Sequence, residues 1–91
     1  MREAKENIVK KAIYRGAHRG CRETDALFMR IPEKHIYAFS DATLTLYEQF
    51  LDESDYDIFP WLTGQLPLPS PYADDAALIA ALAYCRVPVP S

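Results

Sequence analysis

The stretch that decides the fold is SDATLTLYEQFL, residues 40–51. Leu44, Tyr47 and Leu51 recur at the three- and four-residue spacing of a helix that buries one face. Ser40 is a good N-cap, and the aspartate after it places a negative charge in the first turn, where the helix dipole favours it. The stretch therefore predicts an amphipathic helix that begins after Ser40 and ends near Leu51.

Two helical patterns precede this helix. Residues 2–14 carry apolar side chains on one face and end in RGAHRG, residues 15–20, where two glycines are expected to stop the helix in a basic turn. A second apolar stripe opens near Glu23 and continues towards Phe39. Pro32 interrupts this stripe and is expected to kink or end the helix, because proline lacks the N–H donor and clashes with the preceding turn.

A fourth helix is expected after residues 52–55, which form a solvated acidic connector. Asp57 is predicted to cap this helix and Gly64 to end it. Pro60 would then lie in the first turn, where its missing donor costs little.

The C-terminal part is predicted to be an extended proline-rich connector, residues 66–71, followed by a last helix from about Ser70 to Arg86. This helix is apolar nearly all round, so most of it is expected to be buried. Residues 87–91 are interpreted as a frayed tail. With no strand-like alternation, the chain is predicted to be all-α, a small compact bundle of about five helices in a single domain, residues 1–91.

Length and charge exclude several classes of protein. A chain of 91 residues can bury one modest core, but not a roomy cofactor cavity as well. The net charge of −3 divides into +4 up to Phe39 and −7 from Ser40 onward. In the basic half, acidic residues alternate with the basic ones, and its net positive charge is too small to favour binding to nucleic acid. The apolar run of residues 76–85 has about half the length needed to cross a bilayer, so no membrane insertion is expected.

Few residues suggest chemistry of their own. His18 and Cys21 have ligand-like spacing, but a structural zinc site needs a second pair, so no metal site is assigned. A nucleophilic Cys21 with His18 as its base would need a third group to orient the histidine, and none is visible, so no catalytic residue is assigned. Cys21 and Cys85 are expected to be free thiols. No glycine-rich phosphate loop is present, so no cofactor is expected to bind stably to this chain.

The turn at residues 19–23, RGCRE, is the candidate binding element. Gly20 would let the backbone approach another surface, while Arg19 and Glu23 offer opposite charges to a partner. An internal pair between Arg19 and Glu23, one helical turn apart, explains the same residues equally well.

The pattern Arg19-Gly20-x-x-Glu23, with Asp25 after it, resembles the signature of the succinate dehydrogenase flavinylation assembly factors. Three further stretches keep that family's order: FSD at 39–41, LYEQFL at 46–51 and DIFPWL at 57–62. Thr24 departs from the family's pattern, in which an aliphatic residue is common at this position.

The resemblance implies a compact helical protein that is not an enzyme. It would bind the flavoprotein subunit of succinate dehydrogenase, and possibly that of fumarate reductase, and promote covalent attachment of FAD to it. The FAD and the attachment chemistry would both belong to the partner. The resemblance carries over five partner-binding residues, which are Arg19, Gly20, Glu23, Asp25 and Trp61.

The main alternative is a small helical adaptor or antitoxin-like module with another protein partner. The free chain is expected to be a monomer. It is expected in the bacterial cytoplasm, or in the mitochondrial matrix if it is a processed form. Alanine at Arg19 or Glu23 is expected to abolish flavinylation or partner binding while changing thermal stability little.

Overall fold

A computed structural model describes residues 4–86, and these residues form an all-α bundle. No strand occurs among them, which confirms the predicted fold class. Two short 3-10 helices, Tyr72–Asp74 and Ala83–Arg86, flank the last α-helix. The six α-helices are α1 (Lys5–Ala17), α2 (Arg22–Phe28), α3 (Glu33–Tyr37), α4 (Asp41–Leu51), α5 (Asp55–Thr63) and α6 (Ala76–Leu82).

Helix α4 buries one face, as its apolar spacing predicts, and this face lies at the centre of the core. Tyr47 and Phe50 are almost completely buried, and the ring of Phe28 meets both of them edge-on. The ring of Phe50 also makes an edge contact with Tyr72, at a centroid distance of 5.1 Å. Burial raises the pKa of the Tyr47 hydroxyl well above its usual range. Aromatic side chains from α2, α4 and the first 3-10 helix therefore meet in the core.

Helix α1 runs three residues beyond its predicted end. Gly16 lies inside the helix and is buried, so the expectation that it stops α1 is wrong. A Cβ atom at Gly16 would lie 3.2 Å from Cβ of Phe28, which shows that the missing side chain lets α1 and α2 pack closely. Only Gly20 belongs to the turn itself.

Pro32 divides the second predicted helix into two. Helix α2 ends at Phe28, and Pro32 is the N-cap residue of α3, with an extended backbone. This position suits a residue that has no N–H to donate. The break raises the count from the predicted five to six α-helices among residues 4–86.

The start of α5 differs from its prediction. Ser54 is the N-cap residue and Asp55 the first helical residue, so Asp57 does not cap the helix. Pro60 consequently lies in the second turn rather than the first. Gly64 ends the helix as expected, in a left-handed conformation with φ of 81°.

The predicted last helix is shorter than expected, and less than half of the segment is buried. Asp75 caps α6, accepting a hydrogen bond from the N–H of Leu78 at 3.0 Å. Leu78 and Cys85 face the core, while Ile79 and Tyr84 remain exposed by 43% and 36%. The expectation that most of this segment is buried is therefore wrong. The predicted frayed tail, residues 87–91, and the first residues of the predicted first helix lie outside the described residues.

Three further observations concern the described part of the chain. None of its helices has the length and apolar character needed to cross a membrane. It contains no cluster of three or more histidine, cysteine or carboxylate side chains placed to bind a metal ion. Cys21 and Cys85 are both free thiols.

Candidate partner-docking site

The RGCRE turn joins α1 to α2 and is open to the outside. Gly20 has a φ of 94°, a left-handed conformation that side chains other than glycine rarely adopt. Apart from Gly20 and its two neighbours in the chain, no atom of the described residues lies within 4 Å of the position that a Cβ atom at Gly20 would take. The glycine is therefore required by the turn conformation and not by a neighbour within the described chain, and its backbone is accessible to another molecule.

Arg19 does not point outward with the turn. Its Nε donates to Oδ1 of Asp55 at 2.7 Å, and its Nη2 donates to the carbonyl of Glu53 at 2.6 Å. The other terminal nitrogen, Nη1, donates to the carbonyl of Leu51. The guanidinium also lies 5.8 Å from the centre of the Phe28 ring. Arg19 thus connects the α1–α2 turn to the junction between α4 and α5.

The charges at this junction are well matched. The C-terminal end of a helix is the negative end of its dipole, so a guanidinium beside Leu51 stabilises α4. Asp55 lies in the first turn of α5, where a negative charge is favoured. Only 12% of the Arg19 side chain is exposed, so its contacts are shielded from solvent. We conclude that Arg19 is a structural connector between three elements.

The internal partner of Arg19 is therefore not Glu23, as the alternative interpretation assumed. The acidic connector is also less solvated than predicted, because Asp55 and the carbonyl of Glu53 both bind Arg19. The Glu53 carboxylate accepts a hydrogen bond from the Tyr72 hydroxyl at 2.8 Å. Burial, together with this bond, raises the pKa of Tyr72 to about 12.

Asp25 and Glu23 differ in what they contact. Oδ1 of Asp25 accepts a hydrogen bond from the backbone N–H of Arg19 at 2.8 Å, which holds the turn against α2. Glu23 is exposed, and within residues 4–86 its carboxylate accepts only a weak hydrogen bond, from the Cys21 thiol at 3.5 Å. Asp25 therefore shapes the turn, while Glu23 presents a charge at its surface.

A groove lies beside the turn, between the start of α2 and one face of α5. Its volume is about 520 Å³. Tyr56 stands at its edge with 93% of its surface exposed. Thr24 is fully buried, and its hydroxyl is the one buried side-chain polar atom of residues 4–86 without a hydrogen-bond partner. The groove is lined by Cys21, Glu23, Thr24, Asp55, Tyr56, Phe59 and Pro60.

Trp61 lies apart from this groove. Its ring is half-buried and packs against Phe50 and Tyr72 at centroid distances of 5.9 and 6.2 Å. It lines a separate small cavity with Leu68 and Leu82. The structure thus brings together four of the five residues carried over from the motif and leaves Trp61 outside the group.

The groove residues on α5 were assigned no site role from the sequence. Ile58 and Leu62 form the buried face of α5, as their apolar character indicates. Tyr56, Phe59 and Pro60 repeat at the same three- and four-residue spacing and form a second apolar face beside it. This second set could have indicated a binding surface from the sequence alone, because a helix of this size needs only one buried face.

Comparisons with known proteins agree on one family. Residues 10–85 match the family model described as the flavinator of succinate dehydrogenase. Three fungal proteins, each named as mitochondrial succinate dehydrogenase assembly factor 2, are similar in sequence. The protein of Meyerozyma guilliermondii is 37% identical over 79 residues, covering 84% of this chain and 58% of its own length.

The other two relatives match to a similar degree. The protein of Mycosarcoma maydis is 38% identical over 71 residues, which are 78% of this chain and 30% of that protein. The protein of Scheffersomyces stipitis is 37% identical over 82 residues, which are 85% of this chain and 55% of that protein. The matched part of the chain thus spans between 30% and 58% of the length of these three relatives.

No solved structure matches the chain. The family model nevertheless covers all of α2 to α6 and most of α1, including the RGCRE turn and the groove beside it. The chain belongs to the family of succinate dehydrogenase flavinators.

Proposed function

We propose that this protein binds the flavoprotein subunit of succinate dehydrogenase and promotes covalent attachment of FAD to that subunit. The observation that carries the proposal is the RGCRE turn, which combines an open backbone at Gly20 with an exposed carboxylate at Glu23. Arg19 and Asp25 hold this turn in one shape by internal hydrogen bonds. A preformed surface binds with a smaller loss of conformational entropy than a mobile loop.

The FAD and the attachment chemistry belong to the partner in this proposal. Phosphate groups favour N–H donors and cationic side chains, whereas the groove beside the turn carries the carboxylates of Glu23 and Asp55. The cation next to it, Arg19, already has acceptors for all three of its guanidinium nitrogens. These residues do not suit the pyrophosphate of FAD. The protein then acts by stabilising a conformation of the flavoprotein in which attachment is fast.

The three compared relatives are named as mitochondrial proteins. We place this protein in the compartment of its partner, the bacterial cytoplasm or the mitochondrial matrix, and as a monomer until it binds. Mass measurement by light scattering, with and without the flavoprotein subunit, tests the change from monomer to a one-to-one complex.

The function is tested by expressing the flavoprotein subunit with and without this chain. In-gel flavin fluorescence after denaturation measures the covalent flavin directly. We expect fluorescence to rise when the chain is present, and to fall towards the background with Glu23→Ala. Equal fluorescence in the two cultures would contradict the proposal and leave a general protein-binding module as the function.

A further inference from the structure

The groove between α2 and α5 is lined by both acidic and aromatic side chains. Its two acidic residues come from different helices, Glu23 from α2 and Asp55 from α5. Oδ1 of Asp55 is bound to Arg19, but the single positive charge of Arg19 cannot balance both carboxylates. No basic side chain lines the groove within the described residues. The groove therefore keeps a net negative charge and favours a cation.

The remaining walls are apolar and aromatic. Phe59 and Pro60 provide a half-buried surface, and the Tyr56 ring stands almost free of the protein. An exposed aromatic ring next to carboxylates suits a cation that also has an apolar stem, because the ring face attracts positive charge. A small hydrated ion would leave this apolar surface uncovered.

The Thr24 hydroxyl gives a second, independent indication of a ligand. It belongs to a fully buried side chain that lines the groove, and it lacks a hydrogen-bond partner. A buried hydroxyl without a partner destabilises the free protein. The hydroxyl is closed off in the free protein, so a donor in the groove reaches it only when the walls move on binding, and the hydrogen bond formed then removes that cost from the complex.

We propose that the groove binds an arginine side chain of the flavoprotein subunit. This inference rests on the proposed function and adds the chemistry that the partner must present. The planar guanidinium, with five N–H donors, can bind the Glu23 carboxylate through two parallel hydrogen bonds and also stack on the ring of Tyr56. Its apolar stem covers Phe59. Lysine has a compact charge without this planar fork and fits the same walls less well.

Two substitutions test the inference in the complete chain. We expect Tyr56→Ala and Glu23→Gln each to weaken binding to the purified flavoprotein subunit by about tenfold, measured by isothermal titration calorimetry. Tyr56 is 93% exposed and Glu23 is also exposed, so neither change is expected to unfold the protein. Glu23→Gln should also reduce the dependence of affinity on salt concentration, because it removes one charge from the interface.

Matched controls lie outside the groove. Tyr37→Ala removes another exposed tyrosine, and Asp57→Asn removes a carboxylate from the same helix as Tyr56. Both control variants are expected to bind as the unaltered chain does. If the unaltered chain binds while Tyr56→Ala and Glu23→Gln bind equally well, the inference is wrong and the proposed function stands.

A small-molecule probe tests the groove without the partner. N-acetyl-argininamide is titrated into the labelled protein and followed by amide NMR, with N-acetyl-norleucinamide as the uncharged comparison. We expect the arginine probe alone to shift the signals of Glu23, Tyr56 and Phe59. Equal shifts with both probes, or none with either, would overturn the inference. If the flavoprotein fails to bind, the proposed function is wrong, and this titration still decides whether the groove binds arginine.

Discussion

The two buried threonines show how differently two regions of this molecule treat polar groups. At the contact between α4 and α6, the Thr43 hydroxyl donates to Oδ2 of Asp75 at 2.7 Å and accepts from Ser40. In the groove between α2 and α5, the Thr24 hydroxyl has no partner among the described residues. The hydrogen bonds of Thr43 stabilise the fold, whereas the Thr24 hydroxyl makes no hydrogen bond and remains able to form one. We infer that the first region serves stability and the second serves a partner.

Replacing Arg19 has the largest expected effect, because this residue links the groove side of the molecule to the core. Arg19→Ala leaves Asp55 without its cation and two carbonyls without their donor, and we expect it to lower the free energy of unfolding by about 3 kcal/mol. Urea denaturation measures this loss. Arg19→Lys keeps the charge without the fork and is expected to recover only part of it.

This prediction replaces the expectation that Arg19→Ala leaves stability nearly unchanged. Glu23→Ala, in an exposed position, is the comparison that should not move the urea midpoint. A midpoint for Arg19→Ala equal to that of the unaltered chain would show that its internal hydrogen bonds contribute little.

Removing the cap of α6 tests the contact between α4 and α6, where the buried threonine is hydrogen-bonded. Asp75→Ala removes the acceptor for Leu78 N–H and for the Thr43 hydroxyl, and we expect it to destabilise the protein by about 1 kcal/mol. Asp75→Asn keeps a capping oxygen and is expected to lose less. Thermal unfolding followed by circular dichroism compares the two variants.

The same carboxylate predicts a pH dependence. The hydrogen bonds from Leu78 N–H and Thr43 lower the pKa of Asp75 below its usual value. The stabilisation by the ionised Asp75 carboxylate is therefore complete above the pKa of this group in the unfolded chain, about 4. It is lost as the pH falls through the lower pKa of the folded protein. Between about pH 5 and about pH 2, the free energy of unfolding should therefore fall more for the unaltered chain than for Asp75→Asn. Parallel pH profiles would contradict this assignment.

Exchanging each buried threonine for valine compares the two regions directly. Thr24→Val removes a hydroxyl that has no partner and is expected to raise the free energy of unfolding by about 1 kcal/mol. Thr43→Val breaks a satisfied contact and is expected to lower it by about the same amount. Opposite shifts in the urea midpoint would support the comparison, and shifts of the same sign would contradict it.

The smallest expected effect concerns the thiols, because labelling them need not change stability. Cys85 is 2% exposed and its thiol donates to the carbonyl of Leu27 at 3.2 Å. Burial raises the pKa of Cys85 to about 12, whereas Cys21 lies at the groove and is half-buried. We expect a thiol reagent to modify Cys21 in the native protein and Cys85 only after denaturation. Equal rates for the two cysteines in native buffer would contradict this.

Sequence reasoning predicted the elements that depend on local patterns. Ser40 caps α4 as expected, and its side chain accepts a hydrogen bond from the N–H of Thr43 at 3.2 Å. The end of α5 at Gly64 and the end of α4 at Leu51 were also predicted correctly. These features require only nearest neighbours in the chain, so the residue types are sufficient to indicate them.

The errors have physical reasons as well. Ser54 and Asp57 are both good capping residues, and the pattern alone could not decide which one begins α5. The partners of Arg19 lie 32 to 36 residues further along the chain, so no local spacing pointed to them. The groove also depends on the contact between α2 and α5, which the sequence pattern of either helix alone does not specify.

The long separation between Arg19 and its acceptors has a consequence for how the motif comes into existence. The guanidinium of Arg19 can reach its acceptors only after α4 and the start of α5 have been synthesised, because those acceptors belong to Leu51, Glu53 and Asp55. A nascent chain that ends before Leu51 carries the whole motif but none of the three acceptors of the Arg19 guanidinium. A synthetic peptide of residues 15–28 should for the same reason fail to compete with the protein for its partner. The residues of the motif are close in sequence, but the contacts that fix its arginine come from two other helices and the segment between them.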